Sequence, residues 1–165
     1  MNIWAKRLFI LLSIGGGFFG VVYTSYHLPP AQFRVIGREY FLTLAMMAVF
    51  LFGIFSGLMF IEQETKGLRL LRWYFGFQVF AFSSPFFTWQ VISGAELTLG
   101  WTLGHEFELF RRIGSEGGFL LFGDAPWGFG LNIVGLAGFL VIASALKKEK
   151  KANQSPQTTP LARRV

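Results

Sequence analysis

Long apolar runs without a single ionisable residue constrain this chain more than any other feature. Four stretches, at about 8–26, 40–61, 73–92 and 127–146, contain no Asp, Glu, Lys, Arg or His. A membrane helix needs roughly 20 mostly apolar residues to cross about 30 Å of hydrocarbon. A soluble helix of that length carries a polar stripe, and Phe41–Ile61 has none. Trp and Tyr gather toward the ends of the runs, at Trp4, Tyr23, Tyr26, Tyr40, Trp73, Tyr74, Trp89 and Trp127. Such rings favour the headgroup region, where one end stays apolar and the other hydrogen-bonds. The runs predict an all-α fold: an integral membrane bundle of four transmembrane helices, filling residues 1–146.

Composition agrees with lipid as the solvent. Hydrophobic residues make up 53% of the 165 and charged residues only 15%, against about 25% charged in soluble domains. There are no cysteines, which excludes disulfides, thiolate metal sites and thiol redox chemistry. The net charge of +6 flanks the apolar runs. That placement fits anionic lipid as a partner and argues against nucleic acid.

The first run follows Lys6 and Arg7, as a signal peptide would, but no small-x-small cleavage pattern comes after it. An uncleaved span is expected. With four spans, one side holds Lys6, Arg7, Lys66, Arg69, Arg72, Lys147, Lys148, Lys150, Lys151, Arg163 and Arg164. The other side holds Arg34, Arg38, Arg111 and Arg112. Lys and Arg accumulate on the cytoplasmic side, so both termini are expected there, in a bacterial inner membrane. The tail 147–165 opens on Lys-Lys-Glu-Lys-Lys and continues with Asn, Gln, Ser, Thr and Pro. It reads as disordered, a lipid-headgroup anchor or a dock for an acidic partner.

Membrane helices pack closely where small residues allow it. Gly16 and Gly20, then Gly53 and Gly57, have GxxxG spacing, and Gly135 and Gly138 mark the last run. These faces could close the bundle, with a Phe ring covering each notch, or receive another membrane subunit. The third run is the most polar, with Gln78, Ser83, Ser84, Thr88 and Gln90. Its Pro85 is expected to kink a helix.

The far-side loop, 93–126, is long enough to need a function or a structure of its own. Leu97–Gly104 alternates apolar with small or polar residues, which suggests an extended strip. Leu103, Phe107 and Phe110 then fall at helical spacing, predicting an amphipathic interfacial segment ended by Gly114. His105, Glu106, Glu108, Arg111, Arg112 and Asp124 form the candidate polar site. His105 with Glu108, or His105 with His27, is a weak metal candidate, since a pair is half a site. The alternative is ion pairing of Glu108 with Arg111 or Arg112. Asp124 can cap the last helix or touch a substrate. The stretch 123–138 loosely resembles the last helix of the VanZ-like membrane family, over about a tenth of the chain; no residue role is carried across.

Three function classes remain. The first is a noncatalytic subunit or assembly factor of a membrane complex, acting through helix packing and the far-side loop. The second is a lipid-linked enzyme or lipid-binding protein with its site in that loop. The third is a haem- or quinone-associated anchor using His27 and His105. No catalytic motif is present, and no cofactor is implied by the rest of the chain.

Overall fold

The computed structural model describes residues 1–27, 37–104, 107–122 and 124–154. Helices α1 (Ile3–Ile10) and α2 (Gly16–Tyr26) are joined by a π turn, Leu11–Gly15, into one rod. Helix α3 spans Arg38–Glu62, α4 spans Glu64–Phe77 and α5 spans Ile133–Gln154. Between α4 and α5 lies a sheet of β1 (Phe80–Ser83), β2 (Phe87–Ile92), β3 (Ala95–Thr102), β4 (Glu108–Ile113), β5 (Glu116–Leu121) and β6 (Gly128–Asn132). Its order is β4-β3-β6-β1-β2-β5, with every pair antiparallel.

The sheet overturns the all-α bundle of four spans. The third run, 73–92, is the end of α4 followed by β1 and β2. Pro85 lies in the turn between those strands, where it kinks no helix and Ser84 Oγ accepts from Phe87 N–H at 3.0 Å. The fourth run begins as β6, and its helix starts only at Ile133. The predicted amphipathic helix ending at Gly114 is strand β4, whose alternation of side chains replaces the helical spacing of Phe107 and Phe110. A window sum of hydropathy does not separate a strand from a helix, which is why four equal runs gave the wrong element twice. Among the described residues, two helices remain long and apolar enough to cross a membrane by length and composition: Ile3–Tyr26 and Tyr40–Glu62.

Aromatic rings filling glycine notches hold the helices together. A Cβ at Gly20 would collide with the Phe50 ring, one at Gly53 with the Tyr74 ring, and one at Gly138 with Phe75. Gly57 meets Ser13 and Ile14, and Gly135 sits on the backbone of Gln78, where α5 crosses the end of α4. Around these notches lies a core of Phe9, Phe60, Leu68, Leu71, Tyr74, Phe75 and Ile142. Helix α5 is started by Asn132, whose Oδ1 accepts from Val134 N–H at 3.0 Å and Gly135 N–H at 3.3 Å. Asp124, expected as that cap, is exposed in the extended segment before β6.

The first rod is fastened to the sheet at its π turn. There the Gly16 N–H donates to the Leu11 carbonyl and not to that of Leu12. The Leu12 carbonyl accepts from Ser93 Oγ at 3.0 Å. Tyr74, fully buried, donates to the same Ser93 Oγ at 2.6 Å. One turn further on, Ser115 Oγ donates to the Gly16 carbonyl at 2.6 Å. Gly16 therefore touches Ser93, while Gly20 meets Phe50, so this GxxxG pair serves two different neighbours.

Candidate functional site

The edge strands β4 and β5 are consecutive in the chain, separated only by Gly114 and Ser115. Three Cα steps cover at most about 11 Å. A flat six-stranded sheet would hold its edges about 24 Å apart, given strand spacings near 4.8 Å. The sheet must therefore curl until its two edges approach at this corner. No ladder joins β4 to β5 among the described residues, so a seam is left between them.

Register assigns every strand side chain to one of two faces. One face carries Phe80, Phe82, Trp89, Leu99, Trp101, Leu109, Phe119 and Phe129, with Leu97 opposite Arg111. Arg111 is the one charged residue among the strand positions of that face. The other face carries Ser83, Thr88, Gln90, Glu96, Thr98, Thr102, Glu108, Arg112 and Glu116, with Ala81, Ile92, Phe110 and Leu120 among them, Gly100 opposite Gly130 and Gly118 opposite Gln90. The polar face lines a cavity of about 250 Å³, which makes it the inner wall of the curl.

This is the reverse of a soluble sheet, which turns its apolar face to the core and its polar face to water. Polar lumen and apolar exterior are the pattern of barrels that stand in lipid. Part of the exterior is covered by the protein's own helices: Met46 and Phe50 of α3 pack on Val91, with Trp89 and Phe119 beside them. Elsewhere it is open, and Phe80, Leu109 and Phe129 are about half exposed.

The lumen is built from polar groups that constrain one another. Glu96 is buried, and its Oε1 accepts from Gln90 Nε2 at 3.2 Å. Arg112 faces Glu96 in the register, but its ion pair is with Glu116. Thr88 Oγ1 is buried with no hydrogen-bond partner. Among the described residues that line the cavity, the carboxylates Glu96 and Glu116 stand against Arg112; Glu108 shares their face by register but is exposed and lies outside the lining.

The structure divides the residues singled out in the sequence. Glu108 and Arg112 share the inner face, whereas Arg111 points to the outer one, because strand neighbours alternate. Asp124 stands apart from the cavity. His105 and Glu106 lie outside the described residues. His27 Nδ1 is 2.8 Å from the Tyr23 carbonyl oxygen, which commits that nitrogen. Sequence reasoning noted Thr88 and Gln90 as polar residues of the third run, but assigned them to a helix, and it did not place Glu96 or Glu116 in the site. Their signal was alternation: Thr-Trp-Gln-Val in β2 and Glu-Leu-Thr-Leu in β3 place every polar residue on one face.

No protein-family model, curated protein or solved structure matches the chain. The resemblance of 123–138 to a family helix also meets strand β6 over part of its length, and it carries no argument.

Proposed function

We propose that the chain is a noncatalytic integral membrane protein that holds the polar part of an amphiphile in the lumen of its curled sheet. The observation that carries this reading is the reversal of the sheet's faces. A rim of exposed Phe, Trp and Leu is costly in water at about 25 cal/mol per Å², and costs nothing against acyl chains. The helices support the same reading. Only 33% of the most apolar window of Ile3–Tyr26 and of Tyr40–Glu62 is buried, where a soluble core helix would be mostly hidden.

The depth of the sheet follows from its bonds. Its lower corner, at Ser93 and Ser115, is tied to Leu12 and Gly16, near the middle of the first rod. Its β5 end lies beside Tyr23, Thr24 and His27. With the rod across a bilayer, the sheet stands in one leaflet, its lumen opening to the far side. The other end of the molecule collects the basic residues. Lys6 pairs with Glu64, and Thr65 donates to Glu149, which brings the N-terminal helix, the α3–α4 corner and the basic end of α5 together. The bias of Lys and Arg toward that end supports a cytoplasmic position for it.

A subunit role through free glycine faces has less support, since Gly16, Gly20, Gly53, Gly57, Gly135 and Gly138 all touch atoms of this chain. The test is purification in mild detergent followed by quantitation of retained lipid. About one equivalent kept through extensive washing is expected. A lipid-free chain refutes the reading, and a stoichiometric protein partner in its place restores the subunit role.

A further inference from the structure

The lumen's charge and the β4–β5 seam narrow the class of amphiphile, on the footing of the reading above. We propose that the lumen takes the ammonium group of an amine-bearing lipid headgroup, admitted sideways through the seam, with Glu96 as its main counter-charge.

Among the described residues lining the cavity, two carboxylates, Glu96 and Glu116, stand with one guanidinium, Arg112, and Glu116 already holds that guanidinium. Glu96 is left with a neutral amide from Gln90, although it is only 5% exposed. A charge held away from water is expensive unless it is paired. A ligand cation supplies the missing pair, and the acidic lumen repels an anionic headgroup. Phe110, on the same face, offers a ring to an ammonium group.

The seam supplies the route. Each edge strand presents unpaired N–H and C=O groups along its open side. In hydrocarbon each such group costs several kcal/mol unless something bonds it. A headgroup lying in the gap satisfies those groups while its acyl chains remain in the leaflet against the apolar exterior. Arg112 of β4 and Glu116 of β5 stand at the closed end of this gap, beside the Gly114–Ser115 turn. A free amine could reach the lumen from water without the seam, so the two sources of the same chemistry must be separated.

The experiment is calorimetric titration of the full chain in dodecyl maltoside with dihexanoyl phosphatidylethanolamine, dihexanoyl phosphatidylglycerol and free ethanolamine. The amine-bearing lipid is expected to bind at least tenfold more tightly than either of the others. Glu96→Gln is expected to weaken it about tenfold, and Asp124→Asn to leave it unchanged. Glu116→Gln tests the same charge balance without touching the buried Gln90 bond, should Glu96→Gln fold poorly, and is expected to weaken binding several-fold. Equal or tighter binding of the phosphatidylglycerol overturns the cationic assignment and leaves the amphiphile reading standing. Equal binding of ethanolamine overturns the sideways entry of a lipid. No binding of either lipid overturns both this inference and the reading beneath it.

Discussion

Removing Ser93 is expected to cost more than removing the hydroxyl that donates to it. Ser93 Oγ accepts from Tyr74 at 2.6 Å and donates to the Leu12 carbonyl at 3.0 Å. Tyr74→Phe keeps the ring in the Gly53 notch and leaves Ser93 still bonded to Leu12. It forfeits one neutral hydrogen bond, about 0.5–1.5 kcal/mol. Ser93→Ala strands a phenol that is wholly buried and removes the donor at the π turn. A stranded buried polar group costs about 1–3 kcal/mol on its own, so this variant is expected to lose about 2–4 kcal/mol. Tyr74→Phe with Ser93→Ala strands no phenol, so its loss is expected to fall below the sum of the singles by about 1 kcal/mol or more. Non-additivity of that size is normal for residues in contact. Thermal unfolding in detergent, followed by circular dichroism, reads the cycle. A chain of this length moves by about 2–4 °C per kcal/mol, so Ser93→Ala should melt about 4–16 °C lower and Tyr74→Phe about 1–6 °C lower. Equal losses for the two single variants, or strict additivity, would refute the role given to this bond chain.

Gly20→Ala drives a methyl group into the Phe50 ring and is expected to lose about 1–3 kcal/mol by overpacking. Gly15→Ala, with open space around it, should gain up to about 1 kcal/mol of helix propensity; thermal unfolding compares them. Asn132→Ala removes the α5 cap and should cost about 1 kcal/mol, seen as faster amide exchange at Val134 and Gly135. Leu99→Arg puts a charge on the open outer wall and should cost about 2–4 kcal/mol in a bilayer. The same substitution on a water-facing sheet would stay within about 0.5 kcal/mol, a difference that folding yield in liposomes detects.

The sequence made the two helices that are long and apolar enough to cross a membrane legible, because nothing competes with lipid or core for a run such as Phe41–Ile61. It also marked Leu97–Gly104 as extended, and β3 lies there. It misled at 80–92 and 127–132, where the Phe, Trp and Val of one strand face raise the summed hydropathy enough to pass as helix. Phe-Ala-Phe-Ser in β1 and Gly-Phe-Gly-Leu-Asn in β6 alternate with period two, but their high total hydropathy conceals it. The candidate site suffered from the same confusion. Helical spacing grouped Glu108, Arg111 and Arg112, whereas a strand sends Arg111 to the opposite wall. Glu96 and Glu116 could not be joined to Arg112 without the register, which depends on the curl and therefore on the two-residue β4–β5 connection.

In the proposed arrangement the sheet turns its apolar face to lipid and its polar face to a lumen open to the far side. The chain has no native cysteine, so single cysteines report each face without background. Neighbouring positions on one strand give the sharpest contrast: Trp101→Cys with Thr102→Cys, and Leu109→Cys with Glu108→Cys. A membrane-impermeant maleimide is added to the far side of intact bilayers. Cysteines at 102 and 108 should label, while those at 101 and 109 should label only after detergent is added. Equal labelling at neighbouring positions, or labelling of the outer wall alone, would contradict the account.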